Sequence, residues 1–515
     1  MYPSYSAYSY QGWEGSSRNN LGAENPDDPG AASPQYWSMW GKWVPVADVL
    51  AGTQYMRANS NKYLPRLCNE SDACYQTRIN RSVLSPLFHR VLKAAVGLIM
   101  RKPIYLEGGD EAYWEEWRMN VDRQGSSLDE FMGKIIYSAI AYGHCGVLVD
   151  FPTNEARNLR EERELAAKPY FIMEQAPNII GWRHDPADGK GQLQQVRLRE
   201  IITQPEGRFG TEINRQVRVM EPGKYEVWKE SEYGSGSYAL DRSGTVSVNE
   251  IPLAVIYSER QQVLVSEPPL EELANLNIQH YQLQASLLNS LHVAGFPLLV
   301  LKAWDDSSET LQNLSVGNAL ALPPEGGAEY VEPASSAFDA MQTELKQLEE
   351  QIGTLGITML ARPKNVAESG TSKALDRADS NSMLAQISIN AEMALQNAMN
   401  WAAQYAGVEP PTVSIVRDFN AETMDPGTMT QLTAMFNSGL LDKETVLRLL
   451  QQGEILDDGA DLDEIMEATQ AAELDDLDRE INRMQQLSEI GEGNQKDEED
   501  GKPPKEIIRA EMPRD

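Results

Sequence analysis

FDAMQTELKQLEEQIGTLGITMLARPKNVAESGTSKALDRADSNSMLAQISINAEMALQNAMNWAAQYA, residues 338–406, is the stretch whose reading decides the fold. Its apolar residues Phe338, Met341, Leu345, Leu348, Ile352 and Leu355 are spaced alternately three and four apart, the seam of a helix packed lengthwise on another helix. Gly353 and Gly356 weaken the end of that helix, and Ala361 to Gly370 reads as a loop punctuated by Pro363 and Gly370. Thr371 or Ser372 can cap a second helix, and Asp376 in its first turn suits the helix dipole. No Pro or Gly then intervenes before the terminating Gly407, which Pro410 and Pro411 follow. About 35 residues make a rod of roughly 50 Å. Such a rod suits the layers of a large assembly and brings no catalytic pattern with it.

Upstream, Pro268 and Pro269 open a helix from Leu270 to His292, with Ser266 as a candidate cap. It carries two apolar stripes, Ile278, Tyr281, Ala285 and Leu288 on one and Leu276, Leu283, Leu287 and Leu291 on the other, so it is expected to be wedged between neighbours. A β-type insert, Gly295 to Glu332, separates it from the heptad helix, and the two helices bracket the insert as an up-and-down pair.

The rest of the chain reads as helices, then sheet. Residues 1 to about 35 are Tyr-, Ser-, Gly- and Pro-rich and are expected to be disordered or ordered on a partner. Trp37, Trp40 and Trp43 mark either an amphipathic lid on the body or a docking anchor. Val46 to Met100 is helical, broken at Pro65 and Pro86, and Leu128, Phe131, Ile135 and Ala139 mark a helix ended by Gly143. GVLVDF (146–151) is a strand. PYFIM, NIIGW, QVRLREII, QVRVM, YEVWK, TVSV and LAVIY, between Pro169 and Ser258, predict mostly antiparallel sheet with turns at Asp188-Gly189 and Pro222-Gly223. Met424 to Gln452 reads as two short helices joined at Asn437-Ser438-Gly439. The fold class expected is α+β.

With 515 residues the chain can bury two or three cores. The net charge is −32; between Glu454 and Asp500, eighteen acidic side chains face three basic ones, and the remainder still carries −17. An acidic body argues against tight, sequence-independent nucleic-acid binding, but not against a surface past which DNA slides. Between Arg57 and Lys102 nine Lys and Arg face only Glu70 and Asp72, which reads as a solvated helical face or an ion-pair surface between subunits. Cys68, Cys74 and Cys145 form no CxxC pair, so neither a disulfide framework nor a zinc site is indicated. No apolar run is long enough to span a bilayer and no secretory signal is evident, so a soluble protein made in a cytoplasm is expected.

Phosphate-cradling, dinucleotide, HExxH and GxSxG patterns are all missing. His144 beside Cys145 falls on a strand, where neighbours point to opposite faces, which argues against a nucleophile pair. His184, Asp185 and Asp188 make a better turn than a cation site. The tail carboxylates, such as Asp475 and Asp476, have nothing to desolvate them. No catalytic, cofactor-binding or metal-binding residues are expected, and the chain does not read as an enzyme.

From about Val46 to Arg448 the chain resembles the portal proteins of tailed bacteriophages. The residues that carry the resemblance are YLPRLCNESDACYQTRINRSVLSPLFHRVLKAAVGLIMRKPI (63–104), YGHCGVLVDFP (142–152), NIIGWR (178–183) and ESGTSKALDRADSNSMLAQI (368–387). The resemblance implies a homo-oligomeric ring, usually of twelve subunits, at one capsid vertex of a virion assembled in the host cytoplasm. Double-stranded DNA would pass through it transiently and without sequence preference. It also implies the following parts: a disordered arm (1–45), a wing of helices then sheet (46–265), a first stem helix (266–292), a clip (293–335) and a second stem helix (336–357). A tunnel loop (358–370), a long wing helix (371–406), a return strand with crown helices (407–453) and an acidic tail (454–515) complete it. The clip would dock the terminase large subunit and later the head–tail connector or adaptor proteins; the major capsid protein is a further implied partner, and no membrane or cofactor is. Arg362, Lys364 and Glu368 would face DNA from the loop, or serve as solvated charges or intersubunit ion pairs. Leu276, Leu283, Leu287, Phe338, Met341, Leu345, Leu348 and Ile352 would pack the ring through the stem. Competing readings are another virion assembly protein, such as a minor head or scaffolding-like protein, and an enzyme with an unrecognised site.

Overall fold

The aromatic spacing of Tyr36, Met39, Trp43 and Val46 places one buried face on a helix, α1 (Pro34–Ala58), capped by Ser33 and kinked at Gly52. Trp43 donates its indole N–H to the Tyr142 carbonyl at 2.8 Å. Residues 34–45 are therefore structured core and not a disordered arm, because burying this much aromatic surface outweighs the cost of ordering the backbone. The lid reading of the tryptophans holds. The computed structural model describes residues 27–68, 70–152, 168–185, 191–231, 235–294, 298–302, 327–331, 335–360, 370–416, 432, 434–436, 438, 440–452, 465–466 and 468. The readings for residues 1–26, Asp188-Gly189 and most of the acidic tail lie outside the described residues.

A short turn of helix, α2 (Ser60–Tyr63), leads to α3 (Asp72–Arg81) and α4 (Leu87–Ile99), with breaks around Pro65 and Pro86 as the sequence predicts. Part of the local basic excess is consumed inside the chain: buried Arg78 donates to both oxygens of Glu70, at 2.9 and 2.8 Å, and to the Pro65 carbonyl. Strand β1 (Tyr105–Glu107) and helix α5 (Glu111–Trp117) precede α6 (Leu128–Tyr142), which Gly143 ends at φ +92°.

Two antiparallel sheets follow. Strands β2 (His144–Asp150), β3 (Tyr170–Gln175) and β9 (Leu253–Tyr257) form one, in the order β3-β2-β9. Strands β4 (Ile179–His184), β5 (Leu193–Glu206), β6 (Gly210–Glu221), β7 (Lys224–Glu230) and β8 (Tyr238–Thr245) form a meander. TVSV is not a strand: β8 begins earlier and ends at Thr245, and Val248 is buried from a bend. The β2 alternation divides the interior. Cys145, Val147 and Val149 join the large core, and Leu148 joins a smaller one with Ile179, Val196, Leu198 and Leu253. The three-stranded sheet thus lies between helices and the meander.

After the small ladder of β10 (Arg260–Gln262) and β11 (Val265–Ser266) come α7 (Glu271–Ala294), β12 (Leu298–Lys302), β13 (Gly327–Val331), α8 (Ser335–Leu360) and α9 (Gly370–Ala406). Ser266 belongs to β11 and bonds His144, so it does not cap α7, which starts at Glu271 and not at residue 266. The heptad helix runs to Leu360 past both glycines, beyond the expected end at residue 357. At Gly356 a Cβ would meet Val91 Cγ2 of α4 at 2.7 Å, so this glycine permits a close helix crossing. The 37-residue α9, about 55 Å long, starts at Gly370, buries Leu384, Ile387, Ala391, Leu395, Ala398 and Ala402, and packs on β2 and β9. Gly407 terminates it at φ +65°. Strand β14 (Thr412–Ser414), the expected return strand, then pairs with β1, held by Gln396 and by Glu392, which accepts from the Ile415 N–H.

The chain divides into Met1–Phe419 and Asn420–Asp515. In the second unit residues 434–436 are helical, Ser438 is in a turn, and α10 (Lys443–Gln452) follows an Asp442 cap that accepts from the Thr445 N–H at 3.3 Å. Helical residues thus lie on either side of Ser438, and residues 424–431, 437 and 439 of that reading lie outside the described residues.

Candidate functional site

Helix α7 forms because nothing breaks its run after Pro269, and Glu271 and Glu272 favour its first turn. Its inner face, Leu273, Ala274, Asn277, Tyr281 and Ala285, is buried in the helical base. The α4 N-terminus has no capping side chain of its own. Asn277 supplies one from α7, accepting from the Phe88 N–H at 3.0 Å and donating to the Ser85 carbonyl at 3.0 Å. The Tyr281 hydroxyl meets Ser82 Oγ at 2.8 Å, and Gln282 donates to the Tyr63 carbonyl. These bonds fix the rear of the helix.

Helix α8 packs along α7. His280 and Glu349 are joined across the pair at 3.1 Å and are equally far from the insert along their helices, so the helices run antiparallel and in step. At the insert end β12 and β13 form an antiparallel ladder, Leu298 opposite Val331 and Lys302 opposite Gly327. The expected helix–β–helix order is therefore present; residues 303–326 of the insert lie outside the described residues.

The sequence-predicted stem residues separate into two sets. Leu348 and Ile352 are buried inside the chain, as is Leu287. Phe338, Met341 and Leu345, nearer the insert, are half-buried, as are Leu276 and Leu283, while Leu288, Leu291 and Leu355 are exposed. The pair is therefore anchored by Leu287, Leu348 and Ile352 and leaves apolar side chains open at both ends, Leu288 and Leu291 toward the insert and Leu355 away from it. It is also acidic: α7 and α8 carry six carboxylates against Lys346 alone. Arg362, Lys364 and Glu368 lie outside the described residues.

Sequence inspection does not reveal a buried ionic cluster between the two sheets. Arg218 on β6 reaches Asp150 on β2 at 2.8 Å and Glu200 on β5 at 2.7 Å, and Gln216 donates to Glu200. Glu174 on β3 is buried beside them, and burial first, then the Glu200 charge, push its carboxyl up to about 8, against the pull of Arg218. These residues come from four strands, and only the paired sheets bring them together.

His144 and Cys145 are both buried, on opposite faces of β2. His144 faces Ser266 Oγ at 2.8 Å and burial pushes its imidazole down to about 3; the Cys145 thiol, on the opposite face, is pushed up to about 12 by burial. Among the described residues no group of three or more His, Cys, Asp or Glu could hold a metal ion, and no helix is long and apolar enough to cross a membrane.

A family model described as a domain of unknown function (DUF4055) matches residues 269–406, the block from the start of α7 to the end of α9. No curated protein matches the sequence. Among solved structures, the chain is similar to one described as the virion of a native gene transfer agent (GTA) particle, with TM-score 0.40 and 12% identity over 76% of this chain and 97% of that one. It is similar to the neck of an empty GTA particle computed with C6 symmetry, with TM-score 0.40 and 12% identity over 75% of this chain and 94% of that one. It is also similar to the neck of a native GTA particle computed with C12 symmetry, with TM-score 0.37 and 11% identity over 71% and 89%.

Proposed function

We propose that this chain is a portal-type protein: one subunit of a closed ring, of twelve copies, that forms a non-enzymatic conduit for double-stranded DNA at one vertex of a phage-like capsid. The observation that carries this reading is the antiparallel pair α7–α8, anchored by Leu287, Leu348 and Ile352, tipped by the β12–β13 ladder at one end, and followed by the long α9. Apolar side chains left open near the insert, Leu288 and Leu291 with half-buried Phe338, Met341 and Leu345, suit contact with the same pair in adjacent copies. The acidic stem suits passage: a basic wall would release counterions and grip DNA, whereas an acidic wall holds it off.

In this reading the insert docks the packaging terminase and then the head–tail connectors, the outer surface meets the major capsid protein, and Arg362, Lys364 and Glu368 face DNA. Native mass spectrometry of the purified chain tests it. A closed oligomer of one stoichiometry is expected; a monomer at assembly concentrations, or an open series of oligomers, would overturn it.

A further inference from the structure

The two sheets meet over a seam with an apolar end and an ionic end. Alternation along β2 and β3 turns Leu148 and Ile172 toward the meander, and Asp150 and Glu174 with them. Val196 and Leu198 on β5 and Met220 on β6 face back across the seam, so Glu200, Gln216 and Arg218 do too. Three carboxylates therefore share one guanidinium where little water enters. Glu174 is 3% exposed, and the Glu200 and Arg218 side chains are 12% and 15% exposed.

The groups around Glu174 come from every neighbouring element. Gly146, opposite it in the β2–β3 ladder, brings no side chain, and a Cβ there would meet Leu253 Cδ1 at 2.7 Å. Tyr170 donates its hydroxyl to Asp150 at 3.2 Å, Arg123 stands over the Tyr170 ring at 5.3 Å, and the Asp150 charge reaches Tyr405 on α9. Among the described residues, Arg218 is the cation that acts on Glu174. Carboxylates this close in a dry seam do not all ionise. Arg218 pairs with Asp150 and Glu200, which leaves Glu174 as the carboxyl that keeps its proton. Burial first, and the Glu200 charge second, hold it at about 8 against the pull of Arg218.

The cluster also sits where the meander can give. The β4–β5 ladder stops at Ile179–Leu198 and the β6–β7 ladder at Gln216–Lys229. From Ile201–Arg215 to Glu206–Gly210, β5 and β6 run on as two strands alone, which is at best marginally stable in water. Glu200 and Gln216 form the last row before that ribbon.

We propose that Glu174 makes this seam a proton-coupled latch: the closed seam holds a proton on Glu174, and swinging the β5–β6 side away from the three-stranded sheet releases that proton to water. Once wet, Glu174 returns to an ordinary carboxylate value of about 4.3. Opening therefore becomes easier by up to about tenfold per pH unit between about 4.3 and about 8, and levels off above.

Thiol labelling of the full chain carrying Val196→Cys, read peptide by peptide in a mass spectrometer, tests this. Position 196 faces the seam, exposed Cys74 is the reference at each pH, and Cys145 is buried on the far face of β2. Labelling at 196 relative to Cys74 should rise on the order of tenfold per unit from about pH 5.5 to about pH 7.5. Adding Glu174→Gln, which has no proton to lose, should flatten that rise, with Cys145 unlabelled throughout. Hydrogen exchange of the parent against Glu174→Gln alone is a second reading that needs no new thiol. Protection at residues 196–202 and 214–218, corrected for intrinsic exchange, should fall with pH in the parent only. A flat ratio in the parent, or the same rise with Glu174→Gln, would overturn the proposal. So would labelling of Cys145 in step with position 196, which is unfolding of the whole subunit and not of a seam.

Discussion

His280 and Glu349 hold the two helices of the α7–α8 pair in register: Nε2 and Oε1 lie 3.1 Å apart, with the histidine side chain 2% exposed and the glutamate 56%. His280 Nδ1 is buried without a hydrogen-bond partner, so Nε2 is the imidazole's one polar anchor. Glu349→Ala should destabilise the pair by about 1 kcal/mol, and Glu349→Gln, which keeps an acceptor, by less. Thermal melting of the two variants against the parent checks this; equal loss in both would mean that the bond does not set the register.

Gly356→Ala should cost about 1–3 kcal/mol, because the new Cβ meets Val91 Cγ2 at 2.7 Å. Val91→Ala on top of it should recover most of that loss. A double-mutant cycle by chemical denaturation is the measurement, and additive effects would show that the helices do not touch there.

Asn277→Ala should be more damaging than an average buried substitution. It leaves the Phe88 N–H and the Ser85 carbonyl without their partner at the α4 N-terminus. Each unsatisfied buried group costs about 1–3 kcal/mol. Loss of α4 protection in hydrogen exchange, ahead of the β2–β3–β9 sheet, is the expected signature.

The ionic cluster between the sheets makes stability depend on pH in a defined direction. Glu174 titrates at about 8 in the fold, and at an ordinary carboxylate value of about 4.3 unfolded. Between those values the folded chain binds the extra proton, so its contribution to stability falls as pH rises from about 4.3 to about 8 and is constant above. Glu174→Gln removes the proton and the slope. The variant's advantage over the parent should grow by on the order of 1 kcal/mol or more across that window, measured by denaturant titration at several pH values. A parallel pH dependence in both proteins would rule this out.

In the proposed ring, Leu345 and Leu348 separate folding from assembly. Leu348 is buried within the chain, so Leu348→Asp should lower the melting temperature of the subunit itself. Leu345 is half-buried near the insert, so Leu345→Asp with Leu288→Asp should leave the subunit folded and abolish the ring. Circular dichroism and native mass spectrometry read the two outcomes.

The long helix was legible because its signal is local: nothing between Gly370 and Gly407 can break it, and the start and end agree within a residue. The heptad seam was legible for the same reason, but its partition was not, because Leu348 and Leu345 differ only in what the base of the fold places over them. Gly356 misleads for a related reason. A glycine in a helix reads as weakness until Val91, far away in sequence, is seen packed on it. The aromatics of α1 sit beside low-complexity sequence that masks their helical spacing. Asp150, Glu174, Glu200 and Arg218 form no motif at all, since strand pairing alone gathers them.

Single-particle electron cryomicroscopy of the purified full-length chain tests the central claim most directly. Closed rings of twelve copies, with α7 and α8 side by side around an opening wide enough for a DNA duplex, are the predicted result. A stable monomer at high concentration, or a closed assembly with no axial opening, would contradict it.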